Sequence, residues 1–373
     1  MKNLIVTAIA SIALLFPAPK ENYLIIGTYT GGKSEGVYVY KFNSSDGSFK
    51  ELSHVKTTNP SFVAVSPNEK FVYTVQETNN KGHGGQVSSY SFDKKTGTLT
   101  YLNKEPSEGD DPCYIVVDKT GKWVIAGNYS SGTLSVLPVK NDGSVGAPVT
   151  TIKHEGSGIN KERQGSPHVH CTLLSTDNKF LFVPDLGIDK VMIYSFNASG
   201  GQLTPAKTPF AKTKDGSGPR HLTFHPNNKF AYLIEELSGT IETFQYNNGT
   251  LKNVQRISTM PAGDTSFAGS ADIHVSPDGK FLYASNRSVS NTIAIFKVNP
   301  ADGTLALVGH QSTMGQTPRN FNFDPSGDFL LVANQNSDQV VVFKRDKQTG
   351  LLTDTGKRID VGKPVCLKWI SSN

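Results

Sequence analysis

An all-β fold, a seven-bladed β-propeller whose four-stranded first blade is closed by the C-terminal strand, is predicted by three features of this 373-residue chain. A turn-plus-strand pattern recurs six times, further alternating strands follow each copy, and the two chain ends complement one another. The copies read SPNEKFVY from Ser66, DKTGKWVI from Asp118, STDNKFLF from Ser175, HPNNKFAY from His225, SPDGKFLY from Ser276 and DPSGDFLL from Asp324. Their period of roughly fifty residues is that of stacked or radial repeats, each too small to bury a core alone.

From the N-terminus, residues 1–19 stand apart: Lys2, a run of low polarity from Asn3 to Phe16, then small residues such as Ala18. This reads as a secretory signal peptide, too short for a comfortable membrane span. Residues 20–373 form the propeller domain. NYLIIGTYT, GVYVYKF and GSFKELSHV supply strands two to four of blade one, and no first strand precedes them. Blades two to seven each begin with a short apolar run, usually opened by proline (Pro60, Pro112, Pro167, Pro219, Pro318), which meets the polar turn and the strand after it as a hairpin. A third strand follows in runs such as QVSSYSF, TIAIFKV and QVVVFKR, and a fourth begins at a turn glycine, as in GTLTYL and GTLALV. PVCLKWI, from Pro364 to Ile370, is then a first strand with nothing after it, and it completes blade one. Closure of the ring leaves no open sheet edge between its ends.

Composition agrees. After the first twenty positions no stretch carries apolar residues at helical spacing, whereas Gly (35) and Pro (20) are plentiful. The net charge of +5 is spread without a Lys/Arg run, so nothing points to nucleic acid, and the mature chain carries no apolar segment that would anchor it in a membrane. The three cysteines, Cys113, Cys171 and Cys366, all fall in predicted inner strands and read as buried thiols.

In such a meander the start of strand one and the end of strand two emerge on the same face, so polar residues there ring one channel mouth. Strand-one starts contribute His168, His170, Arg220, His221, Asp272, His274 and Arg319. Strand-two ends contribute Gln76, Glu77, Asn128, Asp185, Glu235, Glu236, Asn286, Arg287 and Asn334. Charged groups beside apolar strands are costly unless paired or used, so this concentration marks a candidate site. Some members have plainer readings: His225 opens a turn, His274 bonds a neighbouring blade, and Asp185 and Asp272 suit backbone amides between blades as well as a ligand. His54, His83, His154 and His310 lie in outer strands or loops. Arg220, Arg287 and Arg319 would repel one another at one mouth unless carboxylates or an anionic ligand balance them.

GSGPRHLTFHPNNKFAYLIEEL (Gly216 to Leu237), ADIHVSPDGKFLYASNR (Ala271 to Arg287) and TPRNFNFDPSGDFLLVANQNSDQVVVFK (Thr317 to Lys344) strongly resemble the seven-bladed propeller lactonase family. That family includes the propeller-type 6-phosphogluconolactonase and the fungal carboxy-muconate cyclase. The resemblance covers nearly everything after the leader. It implies a hydrolase opening a small anionic sugar lactone, with no cofactor. It also implies catalytic roles for His170 of PHVH, Arg220 of GPRH, Glu236 of EEL and Arg287 of SNR, with His168 beside the first and Arg319 of TPRNF as a further arginine of the pattern. His168 and Arg319, together with His221 and Asp272 of the channel-mouth ring, are the expected substrate contacts. His170 or Glu236 would act as general base, and Arg220 or Arg287 would stabilise the oxyanion. The leader implies a periplasmic or extracellular location, or a cytoplasmic one if it is no signal. Three other readings of the residues stay open: a metal-dependent lactonase using His168 and His170, a cyclase-like lyase or isomerase, and a non-enzymatic binding propeller.

Overall fold

Each polar turn is pinned by its own first residue. Ser66 Oγ accepts from the amide of Phe71 at 3.0 Å, and one carboxylate oxygen of Asp118 and of Asp324 does the same for Trp123 at 2.9 Å and Phe329 at 2.7 Å. The fourth turn residue is left-handed, which explains glycine or asparagine there in most copies (Gly121, φ 69°; Asn178, 63°; Asn228, 58°; Gly279, 71°). His225 serves its turn as expected, accepting from the Asn227 amide through Nδ1 and donating from Nε2 to the Gly279 carbonyl of the next blade at 2.9 Å.

The computed structural model describes residues 21–81 and 84–372; the expected signal peptide (1–19) and His83 lie outside the described residues. Seven antiparallel four-stranded sheets make up the ring. In blade one the order is Pro364–Ser371, Glu21–Thr28, Gly36–Asn43, Ser48–Lys56, with Tyr23 opposite Ile370 and Ile26 opposite Leu367, so the chain ends close the ring as predicted. Apolar side chains interdigitate between neighbouring blades. Phe230, Tyr232 and Ile234 of blade five, for example, pack against Ile273, Leu282 and Ala284 of blade six. Tyr73, Tyr232 and Tyr283 bond through their hydroxyls to Gly143, Gly303 and Gly350 in the outer turn of the following blade. Blade four departs from the pattern. Its inner strand is regular only at Leu173–Leu174, because the Asp185 carboxylate takes the amides of His168 (2.7 Å) and Gly187 (2.9 Å), leaving an isolated bridge between Val169 and Asp185.

One irregularity recurs and positions the site. Where strand one begins, the register slips by a residue: Pro219 faces Glu235 but His221 faces Ile234, Pro318 faces Asn334 but Asn320 faces Ala333, and Pro112 faces Asn128 but Tyr114 faces Gly127. The extra residues are Arg220, Arg319 and Cys113, and a bulge of this kind re-aims the side chain it carries. Asn59, Asp111, Gly218, Gly269, Thr317 and Lys363, just before strand one, all have positive φ. The chain then bridges around the bulge through amides just past strand two: Glu77 N to Asn59 O, Tyr129 N to Asp111 O and Glu236 N to Gly218 O.

Candidate active site

Two sets of equivalent positions therefore converge on one end of the central channel. The bulge position is Ser61, Cys113, His170, Arg220 and Arg319 in blades two, three, four, five and seven, and the position just past strand two is Tyr29, Glu77, Tyr129, Glu236 and Arg287 in blades one, two, three, five and six. Most of these side chains line one cavity of about 490 Å³, joined by Arg163, Phe267, Ser288 and Thr317 from the connecting loops.

On one wall Glu236 is clasped by arginines. Its Oε2 accepts from Arg220 Nε at 3.0 Å and Arg287 Nη2 at 3.1 Å, and its Oε1 accepts from Arg163 Nη2 at 2.7 Å. Burial raises the proton affinity of this carboxyl, but Arg287, Arg220 and Arg163 outweigh it and hold Glu236 at a pKa of about 2. His170 Nε2 stands 3.8 Å from the same Oε2, and its Nδ1 lies 3.7 Å from the Cys113 thiol. Burial, with the charges of Arg220, His221 and Arg319, keeps this imidazole far below its ordinary pKa, so it is neutral at pH 7.

On the opposite wall Glu77 accepts a hydrogen bond from the Tyr29 hydroxyl at 2.7 Å and another from Ser61 Oγ. The Arg319 guanidinium lies over the Tyr29 ring, 5.3 Å from its centroid. Burial works against the charge on Arg319, but Tyr29, Glu77 and Glu236 more than offset it, so it stays protonated. Its side chain makes no hydrogen bond or ion pair among the described residues.

Of the channel-mouth residues singled out from the sequence, Glu77, His170, Glu236, Arg287 and Arg319 reach the cavity wall. Arg220 does not: it is 1% exposed, sealed behind Glu236 with Nη1 donating to the Ala271 carbonyl and to His221 Nε2 at 3.1 Å. His221 and Asp272 lie one layer deeper, because they follow the bulge position and the next side chain along a strand points elsewhere. His221 Nδ1 donates to Asp272 Oδ1 at 2.8 Å, while Asp272 Oδ2 meets His274 Nε2 at 3.0 Å and takes the Asn320 amide and the Phe321 N–H at 3.3 Å. Burial and Arg220 lower His221 to about 3, so the imidazole is neutral and Asp272 is the ionised partner. The line Arg220–His221–Asp272 thus braces the clasp from beneath and supplies no wall to the cavity. His168 stacks flat on Tyr129 (4.4 Å, 10°) with Nδ1 on the Tyr129 carbonyl, so it is not paired with His170 as a metal site would require. Among the described residues no three His, Cys, Asp or Glu side chains converge as metal ligands. Cys113, Cys171 and Cys366 are free and buried.

Arg163 and Phe267 were not foreseen, since both sit in loops outside the repeat register. Tyr29 and Tyr129 could have been found by that register, as they align with Glu77, Glu236 and Arg287.

The sequence profile of the "Lactonase, 7-bladed beta-propeller" family matches residues 23–369. The chain is 38% identical over 349 residues to a 6-phosphogluconolactonase of Bacillus subtilis, covering 92% of this chain and 97% of that one. It is 40% identical over 333 residues to a 6-phosphogluconolactonase of Formosa agariphila, with 88% and 94% covered. The solved periplasmic gluconolactonase of Pseudomonas aeruginosa superposes with a TM-score of 0.90 at 39% identity, over 95% of this chain and all (100%) of that one. With its ring of seven four-stranded sheets closed by Pro364–Ser371, the chain belongs to the seven-bladed β-propeller lactonase family.

Proposed function

We propose that the protein hydrolyses the ester of a small anionic sugar lactone bound in the channel-mouth cavity, outside the cytoplasm. The observation that carries this reading is Arg319: a charged guanidinium on a cavity wall that has no carboxylate in pairing distance among the described residues calls for an anion from solution. The charges agree, since among the described residues the cavity is lined by three arginines, Arg163, Arg287 and Arg319, against two carboxyls, Glu77 and Glu236. The activities named for the relatives from Bacillus, Formosa and Pseudomonas support lactone opening, and the apolar leader together with the periplasmic relative supports export.

In this reading Arg319 holds the anionic substituent and Arg287, kept in place by Glu236 and by its Nε bond to the Gly269 carbonyl at 2.6 Å, faces the lactone carbonyl. A fixed guanidinium there stabilises the oxyanion of the tetrahedral intermediate, an effect on the order of 3 kcal/mol. Neutral His170 orients the water. Arg220, closed off from the cavity, serves by holding Glu236.

The test is a pH-stat assay of purified protein with 6-phosphogluconolactone, plain gluconolactone and a muconate-derived lactone, each corrected for spontaneous opening. Hydrolysis of gluconolactones, with a lower KM for the phosphorylated one, is the expected result. Failure to open either gluconolactone would overturn the reading, and turnover of the muconate lactone alone would favour a cyclase-like activity.

A further inference from the structure

Lactone opening needs a group that removes a proton from the attacking water and a group that protonates the departing ring oxygen. Neither residue expected to be the base is suited to it. Glu236 is clamped as a carboxylate by Arg287, Arg220 and Arg163 and has no spare basicity, while His170 is disfavoured as a cation by burial first and then by the charges of Arg220 and Arg319. The cavity holds a second carboxyl whose surroundings are of the opposite kind. Glu77 occupies the same position past strand two as Glu236, one ring position from Tyr29 and in the same cavity as His170 and Arg287. Its side-chain hydrogen bonds come from two neutral hydroxyls, Tyr29 and Ser61, and among the described residues no guanidinium pairs with it, although the Arg319 charge lies near enough to act on it.

We infer that Glu77 is the acid–base residue of the reaction, a role that rests on the lactone-hydrolase reading above. As the water oxygen bonds to the carbonyl carbon and the C=O π pair moves onto the carbonyl oxygen, one water proton passes to the Glu77 carboxylate. When the tetrahedral intermediate collapses, the bond between the carbonyl carbon and the ring oxygen breaks. The proton on Glu77 then goes to that oxygen, which leaves as a hydroxyl. The acid formed loses its own proton to solvent, and Glu77 is again a carboxylate. Two carboxyls in one cavity with environments that drive their proton affinities apart is the arrangement by which a single site separates its roles. Burial raises the pKa of Glu77; Arg319, Ser61 and Tyr29 oppose this, and Asp111 adds to it. The Cys113 thiol, which also faces Glu77, is pushed up by burial and remains neutral.

The experiment is the pH profile of kcat/KM for 6-phosphogluconolactone in the wild type, Glu77→Gln, Tyr29→Phe and His170→Gln. Wild-type activity should rise with pH along an acid limb of unit slope set by Glu77. Glu77→Gln should lower kcat about 10²- to 10⁴-fold with KM little changed, and abolish the limb. His170→Gln should lower the rate but keep the limb. Tyr29→Phe removes a hydrogen bond that favours the carboxylate, so it should move the limb to higher pH, and this decides the matter even if Glu77→Gln does not fold. Retention of more than a tenth of wild-type kcat by folded Glu77→Gln, or a limb unmoved in Tyr29→Phe, overturns the role of Glu77 while leaving the hydrolase standing. A wild-type protein that opens no gluconolactone overturns both.

Discussion

Arg220 Nε and Glu236 Oε2 meet at 3.0 Å across the first two strands of blade five, and both side chains are almost wholly out of solvent. Arg163 reaches the same carboxylate from a loop preceding blade four and Arg287 from blade six. One carboxylate thus ties three separate parts of the ring together at the cavity.

Glu236→Gln should weaken both fold and activity. Removing one partner of a buried ion pair leaves the other charges uncompensated, at a cost of about 3 kcal/mol or more, and kcat/KM should fall by about two powers of ten as Arg287 loses its anchor. Glu236 has a folded pKa of about 2 against an ordinary 4.5, so its contribution is complete above pH 4.5 and fades as pH falls toward 2. Urea unfolding at pH 7 should therefore separate wild type from variant clearly, and the gap should narrow at pH 3. An equal gap at both values would contradict this.

Arg319→Ala should act on binding. A hydrogen bond to an ionised group is worth about 1.5–3 kcal/mol, so KM for the phosphorylated lactone should rise about 10- to 100-fold, with kcat nearly unchanged. KM for plain gluconolactone should move far less. Equal changes for the two substrates would show that Arg319 does not hold the anionic end.

The ring and its closure were legible because they rest on local chemistry repeated many times: a capped turn, a left-handed fourth residue, an aromatic that opens the next strand. The channel mouth was legible for the same reason, since strand direction alone brings His170, Glu236, Arg287 and Arg319 to one end. Depth was not legible. Arg220 shares a bulge position with Arg319, yet Glu236 covers the first and the second is bare. The carboxylate over Arg220 comes from its own blade, at the position just past strand two that Gln335 fills in blade seven, so the depth of each arginine follows from which side chain packs over it. His221 and Asp272 look like site residues by composition and are pointed away by a single step along the strand. Arg163 lies in a loop with no counterpart in other blades, so nothing in the pattern marked it.

Asp272→Ala tests that division between wall and support. The carboxylate is held well below its ordinary pKa: burial opposes its charge, but His274 and His221 prevail. Its loss strips partners from His221, His274 and Asn320 together. The melting temperature should drop by several degrees, and kcat should fall through the displaced Arg220 with KM changed less than twofold. A raised KM with unchanged melting temperature would instead place Asp272 against the substrate.

Glu242, in the third strand of blade five, lies outside the cavity lining. Burial and the neighbouring carboxylate of Glu235 raise its pKa to about 7, with Asn253 (2.8 Å) and Arg256 (3.8 Å) only partly compensating. A carboxyl whose folded pKa exceeds its ordinary 4.5 binds more protons folded than unfolded between those values, so folding becomes less favourable as pH rises through that window and stays so above it. The wild-type melting temperature should therefore fall between pH 5 and pH 8. Glu242→Gln cannot ionise and should flatten that slope, whatever its own offset in stability, because only the pH-dependent part depends on the proton. Parallel slopes for the two proteins would mean that Glu242 is ionised throughout, and that Arg256 neutralises both carboxylates.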